Sequence, residues 1–186
     1  PNKVAVAISG GSDSMAALDF IRNNTRRQVT GLYFNHGTEH AEEAERFVRN
    51  YCSDKGILLD VGGLQRGIEA GESKEAYWRS ERYNWFASWH HKHQIPPLPI
   101  ITCHHLDDCV ETWVFTSLHG NSMLIPYKRD NFIRPFLSTR KDDLIDWCEK
   151  KDVPYIVDPS NNDTQYMRNY IRHPLLPNAL VVNPGL

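Results

Sequence analysis

The apolar run Val4-Ala5-Val6-Ala7-Ile8 passes without interruption into Ser9-Gly10-Gly11-Ser12-Asp13-Ser14, and that hexapeptide opens the helical pattern Met15-Ala16-Ala17-Leu18-Asp19-Phe20-Ile21. A continuous apolar run of this kind reads as a strand covered on both faces, which is the habit of parallel sheets. The polar hexapeptide therefore stands at a strand-to-helix turn, beside the positive end of a helix dipole. Two adjacent glycines let the backbone adopt positive φ and approach an anion closely, while Ser12 and Ser14 add hydroxyls to the free N–H groups of the first helical turn. One junction thus sets the fold class, α/β, and marks where phosphate binds. The plain alternative is a tight turn with a capping Ser or Asp.

The hexapeptide contains no Lys, so it is not a Walker loop, and its glycines lack the GxGxxG spacing of dinucleotide folds. It resembles the PP-loop of the ATP pyrophosphatases, which cleave ATP between the α- and β-phosphates and hold the departing pyrophosphate. The resemblance implies a substrate activated as an adenylate.

At 186 residues and 40% hydrophobic content, the chain can bury one good core with a small appendage. A formal charge of −2 gives no global attraction to nucleic acid, so any RNA contact needs a local basic patch. No apolar run approaches the ~20 residues of a membrane span, and a cytoplasmic protein with no membrane partner is expected. Cys52, Cys103, Cys109 and Cys148 form no Cys-x-x-Cys pair. They read as free thiols, against a sulfur-transfer enzyme with an iron–sulfur site.

A helix to about residue 24 precedes a second buried strand, Gln28 to Phe34, with Asn35-His36-Gly37 at its carboxyl end. Ligands of doubly wound folds sit outside the carboxyl ends of strands, so this tripeptide is expected beside the first loop; a turn with a surface His is the competing reading. Glu39 to Lys55 carries an apolar stripe of Ala41, Ala44, Phe47, Val48 and Tyr51. Ile57 to Val61 is the third strand. From Ser73 to Tyr83 a helix sets Glu75, Arg79 and Arg82 on one face, either as a solvated ion-pair ladder or with arginines held for phosphate.

Leu98 to Thr102 is the fourth strand, and its end carries Cys103-His104-His105-Leu106-Asp107-Asp108-Cys109-Val110-Glu111-Thr112. Two His, two Asp and one Glu at a second strand-to-helix junction can bind a divalent cation, or hold an ammonium and position a base. Hard carboxylates beside a nucleotide favour Mg²⁺ over tetrahedral zinc. Asp107 reads as a helix cap, whereas Asp108 and Glu111, three apart, project from one face towards the crevice. After a loop from Gly120 to Phe132 comes Ile133-Arg134-Pro135-Phe136-Leu137, and Ser138 caps a helix to about Lys151. Tyr155-Ile156-Val157 is a short fifth strand, followed by Asp158-Pro159-Ser160-Asn161. Pro174 should end or kink any helix from Thr164 near His173, leaving Arg168, Arg172 and His173 as a basic group.

Taken together, Ser-Gly-Gly-Ser-Asp-Ser, His-His-Leu-Asp-Asp-x-x-Glu-Thr, Ile-Arg-Pro-Phe-Leu, Asp-Pro-Ser-Asn-x-Asp and Arg-Asn-x-Ile-Arg-His-x-Leu-Leu-Pro resemble the catalytic domain of the tRNA(Ile)-lysidine synthetases, in order and over nearly the whole chain. The resemblance implies a Rossmann-like, doubly wound, mainly parallel five-stranded sheet. Residues 1–160 would form this PP-loop domain, with a helical extension, 161–186, packed on it and no further tRNA-binding domain. It also implies a two-step ligation. ATP, with Mg²⁺, adenylates the C2 carbonyl oxygen of cytidine 34 in a tRNA(Ile) with a CAU anticodon; the ε-amine of free L-lysine then displaces AMP to give lysidine. By the same resemblance Ser9, Gly10, Gly11, Ser12, Asp13 and Ser14 hold pyrophosphate, with Asp13 assisting Mg²⁺. Arg79 neutralises polyphosphate, and Asn35 and His105 join the nucleotide contacts. Asp108 and Glu111 fall where the family handles lysine and the target base, and Asn161 and Arg172 match positions near the reacting cytidine or ATP.

Two departures stand out. Asn35 replaces an Asp usual in these synthetases, and the chain stops soon after Leu-Leu-Pro, where relatives carry further C-terminal domains that grip tRNA. A homodimer is one arrangement that would strengthen that grip. Two other readings stay open: another adenylating RNA modification such as 2-thiolation, which needs a reactive Cys and a sulfur donor, and a nucleotide-binding protein without catalysis, which would carry broken motifs.

Overall fold

Lys3–Ile8 (β1) is an interior strand of a six-stranded sheet in the computed structural model, which describes residues 2–92, 98–159 and 167–183. Gln28–Asn35 (β2) and Leu58–Gly63 (β3) add to one side of β1, each in parallel. The chain then crosses back, and Ile100–Ile101 (β4) pairs with the opposite edge of β1. Phe132–Ile133 (β6) lies parallel to β4, and Lys128–Arg129 (β5) closes the sheet antiparallel to β6, giving the order β3-β2-β1-β4-β6-β5. Strand order reverses between β1 and β4. A crevice opens at such a reversal, at the carboxyl ends of the two strands, where the Ser9–Ser14 loop and the His104–Glu111 segment begin.

The helices are Ser12–Asn24 (α1), Glu39–Asp54 (α2), Lys74–Lys92 (α3), Leu106–Leu118 (α4) and Lys141–Lys150 (α5). Alternation along β1 divides the core. Val4, Val6 and Ile8 pack with Met15, Leu18, Val48, Leu144 and Cys148 from α1, α2 and α5, while Ala5 packs with Leu32, Phe86, Trp89, Ile100 and Phe132 on the side of α3. Fully buried side chains such as Leu18 and Leu32 contribute about 2 kcal/mol each. Gly62 has no room for a Cβ against the Trp85 ring, so α3 rests directly on the β3 backbone. Among the described residues no helix is long and apolar enough to cross a membrane.

Three details depart from the sequence reading. Tyr155-Ile156-Val157 forms no strand, and the sheet gains β5 and β6 instead of a fifth strand there. Among the described residues the ladder-like bond of that tripeptide is Ile156 N–H to the Gly10 carbonyl, 2.9 Å, which clasps the first loop rather than extending the sheet. Ser138 does not cap α5; the helix starts at Lys141, and Asp143 accepts the Arg140 N–H at 3.1 Å. Nor does Pro174 end its helix. Met167–Tyr170 (α6) runs through a π-helical turn, Ile171–Leu175, into Leu176–Val182 (α7). Proline cannot donate to the carbonyl four residues back and its ring crowds that carbonyl, so the backbone widens by one residue, and Leu176 N–H reaches the Ile171 carbonyl.

Candidate active site

The first wall is the loop between β1 and α1. Gly10, at φ +89°, turns the chain, and a Cβ there would stand 3.1 Å from Ile156 Cδ1 and 3.4 Å from Phe47. Ser14 Oγ accepts the Ser9 N–H at 3.1 Å and donates to the Gly11 carbonyl at 3.0 Å, fixing the loop across its mouth. Ser9 is exposed, and Gly11 and Asp13 are half-buried, so this face of the loop opens to solvent.

The second wall is the start of α4. His105, 1% exposed, places Nε2 3.5 Å from both Asp13 Oδ2 and Asp108 Oδ2. Its Nδ1 is 3.3 Å from Asp107 Oδ2, close enough for charge attraction though off the line of a hydrogen bond. Burial disfavours the imidazolium, but Asp13, Asp108 and Asp107 overcome it and raise its pKa. Burial also pushes the Asp13 carboxyl up, and here His105 and Lys141 win, holding it below its usual value. Asp107 is not the cap expected of it. Asp108 Oδ2 accepts the His105 N–H at 3.0 Å, while Asp107 Oδ2 accepts the Lys141 N–H at 2.9 Å and so ties α5 to α4.

The third wall comes from the end of the described chain. Arg172, on the π-helical turn, donates from Nη2 to Glu111 Oε2 at 2.7 Å and lies 3.5 Å from Asp108 Oδ1. Arg168 Nη1 is 3.7 Å from the other Glu111 oxygen, and its Nε is 3.5 Å from Glu75. Glu111 is 2% exposed; burial raises its pKa, and the two arginines offset that only in part. A continuous path of charge therefore runs from the loop through Asp13, His105, Asp108 and Arg172 to Glu111.

Of the residues singled out in the sequence, Ser9 to Ser14, His105, Asp108, Glu111 and Arg172 meet in this crevice. Arg79 is exposed and lays its guanidinium over the Tyr83 ring at 4.9 Å, with Arg82 5.9 Å from the same ring. Asn35 turns elsewhere: its amide donates to Glu45 at 2.7 Å and its carbonyl accepts the Gly37 N–H at 2.7 Å. An Asp at that position would face the Glu45 carboxylate, which burial pushes up but the Asn35 amide and Arg49 together hold below its usual pKa. Asn161 lies outside the described residues. Among the described residues no group of three or more His, Cys, Asp or Glu is arranged to hold a metal. Mg²⁺ commonly takes only one or two carboxylates beside substrate phosphates, and Asp13 at the loop mouth fits that need.

His36 and His104 flank the site as neutral rings. Burial, with Arg82 nearby, lowers His36 to about 4; burial, with Arg134, Arg79 and Arg82, brings His104 to about 4 against the pull of Asp108. Lys141 escaped the sequence reading. Its Nζ lies 3.4 Å from Asp13 Oδ2, across 128 positions of chain, and no local pattern announces so distant a contact.

This chain has relatives among known proteins. It is 32% identical over 194 residues to the tRNA(Ile)-lysidine synthase of Thermotoga sp. (strain RQ2), covering 97% of this chain and 46% of that protein. The Staphylococcus epidermidis (strain ATCC 35984) tRNA(Ile)-lysidine synthase is 32% identical over 197 residues, covering 98% and 45%. The chain thus spans under half the length of these relatives. Among solved structures, the U34-tRNA thiolase NcsA of Methanococcus maripaludis, with its 4Fe–4S cluster, superposes with a TM-score of 0.68 at 14% identity, covering 91% of this chain and 69% of that one. The NH3-dependent NAD synthetase of Campylobacter jejuni gives 0.59 at 11% identity, covering 96% and 86%. Both likenesses speak for the doubly wound fold. The PP-loop domain family matches residues 1–179. With a serine- and glycine-rich anion loop at the reversal of a parallel sheet and that match over nearly its whole length, the chain belongs to the PP-loop domain family.

Proposed function

We propose that this chain is the catalytic part of an ATP-dependent RNA-modifying ligase that joins lysine to cytidine 34 of a CAU-anticodon tRNA(Ile). The observation that carries the reading is the path from Asp13 through His105 to Asp108, Arg172 and Glu111, which joins a pyrophosphate loop to a paired carboxylate site. The named relatives, similar over nearly all of this chain, supply the substrate.

In the first step the loop N–H groups and serines hold the β- and γ-phosphates of ATP, and a divalent cation beside Asp13 would neutralise them. The C2 carbonyl oxygen of the cytidine attacks the α-phosphorus as the bond to pyrophosphate breaks. In the second step the lysine ε-amine attacks C2, the C–O bond to AMP breaks, and the amine proton passes to a carboxylate. Asp108 attracts the incoming ammonium, while Glu111, raised by burial, is the better proton acceptor. Arg79 on the exposed side of α3 and Arg168 on α6 offer local positive charge to RNA despite the formal −2 of the chain. Residues 1–160 act as the PP-loop unit, and the α6–α7 segment docks on α4 to complete it.

The cysteines speak against thiolation. Burial pushes Cys52 and Cys148 up to about 11 and Cys103 higher still, so none of the three offers a thiolate near neutral pH. Incubation with ATP, lysine and a CAU-anticodon tRNA transcript, followed by nucleoside mass analysis, tests the proposal. Lysidine, AMP and pyrophosphate are expected; ADP and orthophosphate, or an unmodified transcript, would overturn it.

A further inference from the structure

The Ser9–Ser14 loop carries no cation of its own, although the pyrophosphate it is shaped for is strongly anionic. His105 does not fill that need, because Asp13, Asp107 and Asp108 surround its ring. Lys141 is different. Its backbone N–H is pinned by Asp107 at 2.9 Å, and the neighbouring turn is fixed by Leu106 N–H to the Thr139 carbonyl at 2.8 Å, so the start of α5 is anchored against α4. The side chain reaches over the loop with about a third of its surface exposed, and its one ion pair among the described residues is to Asp13, 3.4 Å away. An ammonium has three donors, so an anion at the loop mouth meets unused ones.

Resting on the PP-loop reading, we infer that Lys141 is the cation of this loop, supplied from α5, and that it binds the pyrophosphate portion of a nucleoside triphosphate. Without nucleotide it neutralises Asp13; with nucleotide the ammonium swings to the β- and γ-phosphate oxygens, and the Asp13 carboxylate would then be free to hold a divalent cation. Its four-carbon stem spans that movement while the backbone stays fixed. The role is distinct from that of a Walker lysine, which sits inside its own loop.

Calorimetric titration of the full chain with pyrophosphate, ATP and AMP tests this without RNA or lysine. Lys141→Met should weaken pyrophosphate and ATP about tenfold and leave AMP unchanged, a loss within the usual range for a charge-assisted hydrogen bond. Lys141→Arg should recover most of the affinity, and Lys141→Gln, which keeps length and polarity, should behave as the Met variant with an unaltered melting temperature. The same tenfold loss should appear when Lys141→Met is placed on Asp13→Asn, since the contact is direct. Wild-type pyrophosphate affinity in Lys141→Met, an equal loss for AMP, or a loss that vanishes in the Asp13→Asn background would overturn the inference. A chain that binds pyrophosphate through Lys141 yet makes no lysidine would overturn the function proposed above and leave this inference standing.

Discussion

Asp108 and Glu111 lie one helical turn apart and take different burdens. Asp108 accepts the His105 N–H at the start of α4, a bond Asn can also accept, so Asp108→Asn should keep folding free energy within about 1 kcal/mol while, on the function proposed above, lysidine formation falls on the order of 10²-fold. Urea denaturation beside a single-turnover assay separates the two; near-normal product formation would leave Glu111 alone with the chemistry. Glu111 is buried against Arg172, whose side chain is 28% exposed. Glu111→Gln removes one partner and leaves the guanidinium half-desolvated, which should cost roughly 2 kcal/mol, less than the 3–5 of a fully buried pair. An unchanged denaturation midpoint in Glu111→Gln would show that the pair does not brace the helices.

Among the elements, the π-helical turn makes the plainest connection between sequence and site. Pro174 forces the widening, and the widened turn presents Arg172 to Asp108 and Glu111. Pro174→Ala lets the backbone return to α geometry, where removing one residue from a turn rotates the helix on one side of it by about 100° relative to the helix on the other. Helix content by circular dichroism should hold or rise while activity drops at least tenfold; full activity would mean that Arg172 finds its partners by another route. The sequence announces that proline with two outcomes, a stop or a kink; the helix does not stop there, and its backbone widens into the π-helical turn. Elements whose signal is local are otherwise legible: β1, α1, β2, α2 and α4 stand within a few residues of where periodicity and turn chemistry put them. The two-residue strands β5 and β6 carry no readable period, and Tyr155-Ile156-Val157 has strand composition but spends its backbone bond on Gly10. Within the site, Asp108 and Glu111 were readable because they share a helix. Lys141 and the Asn35–Glu45 pair were not, because each depends on side chains brought together only by tertiary packing.

For the whole molecule, the histidines predict a stability maximum near neutral pH. His105 has a folded pKa raised above its unfolded value, so its contribution is complete below about pH 6.5 and is lost as pH rises through the folded value. His36 and His104 are depressed to about 4, so theirs is present above about pH 6.5 and fades as pH falls towards 4. Denaturation midpoints measured from pH 4.5 to 8.5 should trace a dome, with His104→Gln flattening the acid limb and His105→Gln the alkaline one; a flat wild-type profile would contradict both assignments. The crossing from β3 back to β4 has a consequence for the chain as it is made. By Gly63 three adjacent strands and the anion loop are in place, but His105, Glu111, Lys141 and finally Arg172 arrive over roughly a hundred further residues, about ten seconds of translation. A nascent chain therefore carries the bare backbone loop well before Lys141 and Ile156 reach it and before Arg172 closes the far wall, and the order of synthesis itself leaves the half-made crevice open and incomplete.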